Sequence, residues 1–224
     1  MQTQPKMEKE IDIISFEKAP VEAKKCSPNR TFCLPFPPEE YAERFNRVRK
    51  AMQKAKVDVA ISTAHRDFHW LTGNKVDFWA AESPQWIIIS DQEAIGVVRH
   101  LEASTHRMCS YLKDWVEYPD AGPINPYDPV GYTVATLKKL GLHKGRIGMN
   151  FRVVSLEEFH RFDQLLPEAE LVDFRVEKVR SRRSPLELDC LRKAATVNQK
   201  AIMDTVQKLQ VGWSEWRILK ELNR

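Results

Sequence analysis

Two hundred and twenty-four residues, 42% hydrophobic, 29% charged and 9% aromatic, make one domain with an extension or two small domains. They exclude a wholly disordered, collagen-like or membrane-embedded chain. The formal net charge of +4 is concentrated between Arg175 and Lys193, where seven basic side chains meet three acidic ones and leave the rest of the chain neutral. That cluster has no aromatic interleaving and no nucleic-acid motif beside it, so it reads as a solvated face or linker rather than a phosphate-binding surface.

Residues 1–36 show no sustained periodicity and end in the proline-rich LPFPPEE, which predicts a flexible extension. Charges interrupt every apolar stretch of MQTQPKMEKEIDIISFEK, so no secretory signal is read there and a cytoplasmic location is expected. From Pro38 the residues Tyr41, Phe45, Val48, Met52 and Ala55 recur at helical spacing. Proline suits the first turn, Glu39, Glu40 and Glu43 sit near the positive end, and Lys50, Lys54 and Lys56 near the negative end.

A strand is predicted over 57–62, followed by a loop holding His65, Arg66, Asp67 and the sequence HWLTG. The runs QWIIIS (85–90) and AIGVVR (94–99) predict an antiparallel hairpin. Next come a helix over 102–113, a strand over 115–118, the turn-rich DAGPINPYDP and a helix ending at Leu140 and Gly141. A strand over 146–150, a helix over 156–166 and a strand over 171–174 complete the alternation. The expected fold is α/β, a mixed β-sheet flanked by helices over about residues 37–176. Beyond it, Ser184-Pro-Leu-Glu187 is a capping box opening a long helix to about residue 210. Gly212 ends that helix, and Ser214 with Glu215 starts another.

Single residues add little chemistry. His65 and His69 lie four apart, but no third ligand follows at usable spacing, so they read as structural or solvent-facing, as do His100 and His106. The four cysteines are too scattered for a disulfide framework or a zinc motif. No glycine-rich phosphate loop and no nucleophile elbow occurs.

Two stretches resemble one family. PFPPEEYAERFNRVRKAMQKAKVDVAISTAHRDFHWLTGN is similar to the opening helix, strand and aromatic-Leu-Thr-Gly loop of the creatinase N-terminal domain. VRSRRSPLELDCLRKAATVNQKA resembles the segment by which these proteins cross into their pita-bread catalytic domain, with Arg180, Arg183, Ser184, Glu187, Arg192 and Ala194 at the patterned places. GWSEWRILKEL resembles the start of the next pita-bread helix. The resemblance, over residues 36–224, is to the creatinase, prolidase and aminopeptidase P superfamily, with the creatinase and ectoine-hydrolase branch as its neighbourhood. It implies that residues 177–224 are a connector plus the first two helices of an incomplete pita-bread domain.

What the resemblance implies about chemistry is mostly an absence. Family metallopeptidases hold two divalent ions (manganese, cobalt or zinc in a full-length parent) with two aspartates, a histidine and two glutamates of the pita-bread domain. Creatinase itself uses histidine and glutamate there without metal. After Glu187 this chain has only Asp189, Asp204, Glu215 and Glu221 as carboxylates, and no histidine beyond His160. No catalytic residue and no metal ligand is therefore assigned, and the chain is expected to be inactive alone. The stripe of Trp213, Trp216, Leu219 and Leu222, with nothing to bury against, points to truncation of a longer hydrolase.

In creatinase-like enzymes the loop after Thr-Gly reaches over the partner subunit's active site, bringing an aromatic and a basic side chain. The resemblance puts the aromatic at Trp79, with Phe78 beside it, but Ala81 at the basic place, which argues against creatine as substrate. Arg66 and Lys75 are nearby cations suited to a substrate carboxylate. The implied partner is a second copy, as homodimer, or a full-length family member. The rival expectation is a freestanding protein-interaction module or an inactive fragment of that family.

Overall fold

A computed structural model describes residues 13–15 (backbone alone), 34–74, 83–119 and 128–223. The chain divides into two compact units, residues 1–181 and 182–224.

The first unit is built on a mixed sheet whose strands β1 (Ile13–Ser15), β2 (Val59–Ser62), β3 (Trp86–Ile89), β4 (Ala94–Arg99), β5 (Asp114–Tyr118), β6 (Gly145–Met149) and β7 (Ala169–Asp173) lie in the order β1-β5-β4-β3-β2-β6-β7. The predicted hairpin is β3 and β4, antiparallel with Ile88 opposite Ile95. The parallel pairs are β2 with β6, β6 with β7, and β4 with β5. Ile13–Ser15 pairs antiparallel with β5 at the far edge.

Helices α1 (Pro38–Ala55), α2 (His65–Thr72), α3 (His100–Cys109), α4 (Pro129–Lys139), α5 (Leu156–Leu165) and α6 (Val176–Arg180) surround the sheet. Two apolar clusters show how. Phe45, Val48 and Met52 of α1, Phe68 and Leu71 of α2, Ala103 of α3 and Val176 of α6 pack with Ile87 and Ile89. Val130, Val134 and Leu137 of α4 and Phe162 of α5 pack with Trp86 and Ile88. Consecutive residues of β3 thus face opposite layers, and because both faces are covered the strand is an unbroken apolar run. Gly96 of β4 leaves room for the Trp115 ring, which a β-carbon there would meet.

Helix α1 follows its predicted stripe except at Ala55, which is exposed at the last turn, while the cation Arg44 is buried instead. Three aromatic rings explain the burial: the Arg44 guanidinium lies 4.7 Å from the Phe36 centroid, 4.9 Å from Tyr41 and 5.3 Å from Trp70. It also donates to the Trp70 carbonyl at 2.7 Å and to Glu40 at 2.9 Å.

The expected loop holding residues 65–67 and HWLTG (69–73) is corrected: His65–Thr72 form α2, and Gly73 caps it. Its N-terminal position is Ala64, which offers no side-chain cap, so the usual start signal is missing. Burial of Phe68, Trp70 and Leu71 supplies the stabilisation instead. The helix predicted over 102–113 is also shorter than expected, ending at Cys109.

In the second unit, α7 (Pro185–Lys208) opens with the predicted capping box: Ser184 Oγ accepts from Glu187 N at 3.1 Å and the Glu187 carboxylate accepts from Ser184 N at 2.8 Å. Helix α8 (Glu215–Leu222) is joined to it by a Lys208–Glu221 ion pair of 2.6 Å. Leu191, Val197, Val206, Trp216 and Leu219 are all exposed, Trp216 at 74%.

Candidate functional site

The sequence reading centres on segment 75–82, and the described residues on either side of it, its two roots, are held by buried polar contacts. Helix α2 ends where Gly73 takes φ +75°, a conformation glycine adopts without strain. A β-carbon at this position would stand 2.5 Å from the Tyr41 hydroxyl, so glycine is required for space as well. The Thr72 hydroxyl donates to Phe68 O at 2.8 Å and accepts from Asn74 N at 3.1 Å. Thr72 O accepts from Tyr111 N at 2.7 Å.

Asn74 itself is held by a histidine. Its side-chain amide donates to Nδ1 of His106 at 2.5 Å. His106 is fully buried, stacked on Trp115 with centroids 5.2 Å apart and edge-on to Phe68 at 5.2 Å. Burial, with a smaller contribution from His69, pushes the imidazole pKa down to about 4. The ring is therefore neutral at physiological pH, and Nδ1 can accept. At the other root the Tyr118 hydroxyl donates to Pro84 O at 2.6 Å.

Helix α2 is tied from below as well. Asp67, buried in its first turn, accepts from Arg180 Nε at 2.7 Å across 113 residues of sequence. Burial raises the Asp67 pKa, against the opposing pull of Arg180. Arg47 of α1 donates to Val179 O at 2.6 Å, so α6 is held at two points.

Beside these roots, at the carboxyl end of β2, lies a cleft of about 410 Å³. Thr63, His65, Ser83, Gln85, Trp86 and Glu158 are among the side chains that line it. Glu158 is committed to the cap of α5, accepting from Ser155 N at 2.8 Å.

Of the residues singled out in the sequence, Arg66 is exposed on α2. Lys75, Phe78 and Trp79 lie outside the described residues. The His65 and His69 rings do meet on one helix face, with centroids 4.0 Å apart. Among the described residues no group of three or more histidine, cysteine, aspartate or glutamate side chains could hold a metal ion. The described residues thus do not bring together the ligand set of a two-metal hydrolase. In the basic segment, Arg175 pairs with Asp173 at 2.8 Å, Arg180 with Asp67 and Lys193 with Asp189 at 2.7 Å, so three of its seven cations have a carboxylate partner at hand. No helix among the described residues is long and apolar enough to cross a membrane.

Sequence reasoning overlooked Asn74, Ser83 and Gln85, and it read His106 as structural or solvent-facing without finding its partner Asn74. The signal for Gln85 is faint: it is the polar residue that opens an otherwise apolar run, directly after Ser-Pro.

Comparison with known proteins agrees with this architecture. The family model described as the Creatinase/Prolidase N-terminal domain matches residues 44–182. The chain is 28% identical over 200 residues to the ectoine hydrolase of Halomonas elongata, covering 85% of this chain and 50% of that protein. It is 26% identical over 199 residues to an uncharacterized hydrolase/peptidase of Sinorhizobium fredii, covering 84% of this chain and 50% of that one. The chain thus spans about half the length of the curated relatives it matches. An Xaa-Pro dipeptidase structure from Bacillus anthracis superposes with a TM-score of 0.64 at 18% identity, over 81% of this chain and 47% of that one. The expected mixed-sheet α/β fold is borne out.

Proposed function

Because the chain belongs to the Creatinase/Prolidase N-terminal domain family, we propose that it is the non-catalytic N-terminal part of a hydrolase acting on C–N bonds in peptides or small amide or amidino compounds. Its part in that enzyme is to build the homodimer and to shape substrate access. The observation that carries this reading is the anchoring of segment 75–82. A buried neutral imidazole grips Asn74, a buried tyrosine grips Pro84, and the family crossing residue Arg180 grips the helix that precedes the segment. Polar groups committed this far inside a core hold the residues on either side of segment 75–82 rigidly.

On this reading Trp79 and Phe78 are the aromatic contacts to substrate at a neighbouring subunit, and Arg66 and Lys75 the cations that meet its carboxylate. The divalent metal, where the parent uses one, belongs to the catalytic half. The apolar residues exposed on α7 and α8 are the beginning of that half's core.

The test is the reading frame downstream of codon 224. A frame that continues into aspartate, histidine and glutamate motifs, and whose product is a homodimer that hydrolyses an Xaa-Pro dipeptide or ectoine, supports the proposal. A stop codon at that point supports the alternative, an interaction module whose helices dock on a full-length family member.

A further inference from the structure

We propose that the cleft at the carboxyl end of β2 is a binding site for a neutral amide group, either a small carboxamide or a peptide main-chain unit. The cleft is walled on its apolar side by Pro84, Trp86 and Val153. On its polar side stand Ser83, 0% exposed, and Gln85, 5% exposed. Among the described residues neither side chain has a hydrogen-bond partner: Ser83 Oγ, Gln85 Nε2 and Gln85 Oε1 are all buried and unsatisfied, and so is Thr63 Oγ1 at the same cleft. Buried polar side chains are otherwise almost always paired. An amide orphaned at both its donor and its acceptor is costly to hold inside a protein unless something completes it.

The chemistry of the orphans defines the complement. A carboxamide presents an N–H donor and a C=O acceptor side by side. The group that satisfies both at once carries an acceptor beside a donor, as another amide does. Among the described residues the lining holds no lysine or arginine; its titratable side chains are His65 and one carboxylate, Glu158, which disfavours anions. A neutral ligand is selected. The volume of about 410 Å³ lies within the range of small-molecule sites and far exceeds one water.

This site is separate from the assigned role of segment 75–82 and stands whether or not the hydrolase reading does. It is tested on the full 224-residue chain by following the Gln85 side-chain amide and Trp86 indole resonances. N-acetylglycinamide probes the small carboxamide, and acetyl-trialanine amide probes the peptide unit. Saturable shifts with either probe, and none with propionate, are expected, the tighter probe identifying the source. Gln85→Leu should weaken binding about tenfold or more, and Ser83→Ala by a few fold. Because no protein hydrogen bond is lost, Gln85→Leu should leave the unfolding midpoint unchanged or raised. Absence of saturable shifts, or shifts that survive Gln85→Leu, would overturn the proposal. So would a clear drop in midpoint in Gln85→Leu and Ser83→Ala, which would mean that the orphans serve a structural water network.

Discussion

Arg180 and Asp67 stand 113 residues apart in sequence and 2.7 Å apart in space, joining the last helix of the first unit to the first turn of α2. The Asp67 side chain is only 2% exposed, whereas that of Arg180 is 21% exposed. Removing the cation therefore leaves a buried carboxylate without its counter-charge. Arg180→Ala should cost about 3 kcal/mol at neutral pH, read from urea unfolding. In an Asp67→Asn background the same change should cost much less. Burial holds the folded-state pKa of Asp67 above 3.8, so this carboxyl keeps its proton in the fold to higher pH than in the unfolded chain. The penalty of Arg180→Ala should accordingly shrink as pH falls and Asp67 is neutralised.

Acid should loosen the contact between His106 and Asn74. His106 binds its proton at about 4 in the fold against 6.5 when unperturbed. Between those values the unfolded chain binds more protons, so stability must fall as pH drops from 6.5 towards 4. The full effect is roughly 3 kcal/mol. Urea midpoints measured across this window should fall more steeply for the parent chain than for His106→Gln. Equal slopes would show that His106 does not titrate as described.

Gly73 is the third structural device at this corner. With φ at +75° and the Tyr41 hydroxyl 2.5 Å from where a β-carbon would sit, Gly73→Ala combines backbone strain with a clash. A loss of about 2 kcal/mol in unfolding free energy is expected, with Tyr41→Phe giving only partial rescue.

Much of this architecture was legible in local pattern. Helix α1, the β3–β4 hairpin and the Ser184–Glu187 capping box follow from spacing that neighbouring residues set by themselves. The capping box of α5, Ser155 with Glu158, repeats the one at Ser184. Helix α2 was hidden because HRDFHWLT lacks a capping residue and is helical for tertiary reasons, the burial of Phe68 and Leu71 against the sheet. The contacts that build the candidate site were hidden for a related reason. Asn74 meets His106, Asp67 meets Arg180, and Tyr118 meets Pro84 at separations of 32, 113 and 34 residues. No local period encodes such pairs.

The second unit exposes apolar side chains that an isolated helical pair does not cover. Trp216 at 74% and Leu219 at 48% exposure lie one turn apart on α8. Trp216→Glu combined with Leu219→Glu should reduce binding of a hydrophobic dye and self-association on gel filtration. The unfolding free energy of the first unit should change by no more than about 0.5 kcal/mol.

The most direct measurement is turnover by the 224-residue chain itself, with manganese added, on an Xaa-Pro dipeptide, creatine and ectoine. No hydrolysis of any of the three above the buffer rate is expected, because the proposed function assigns the reacting groups to a catalytic half, and this chain spans about half the length of its curated relatives. Turnover that copurifies with the chain and vanishes with it would contradict the account.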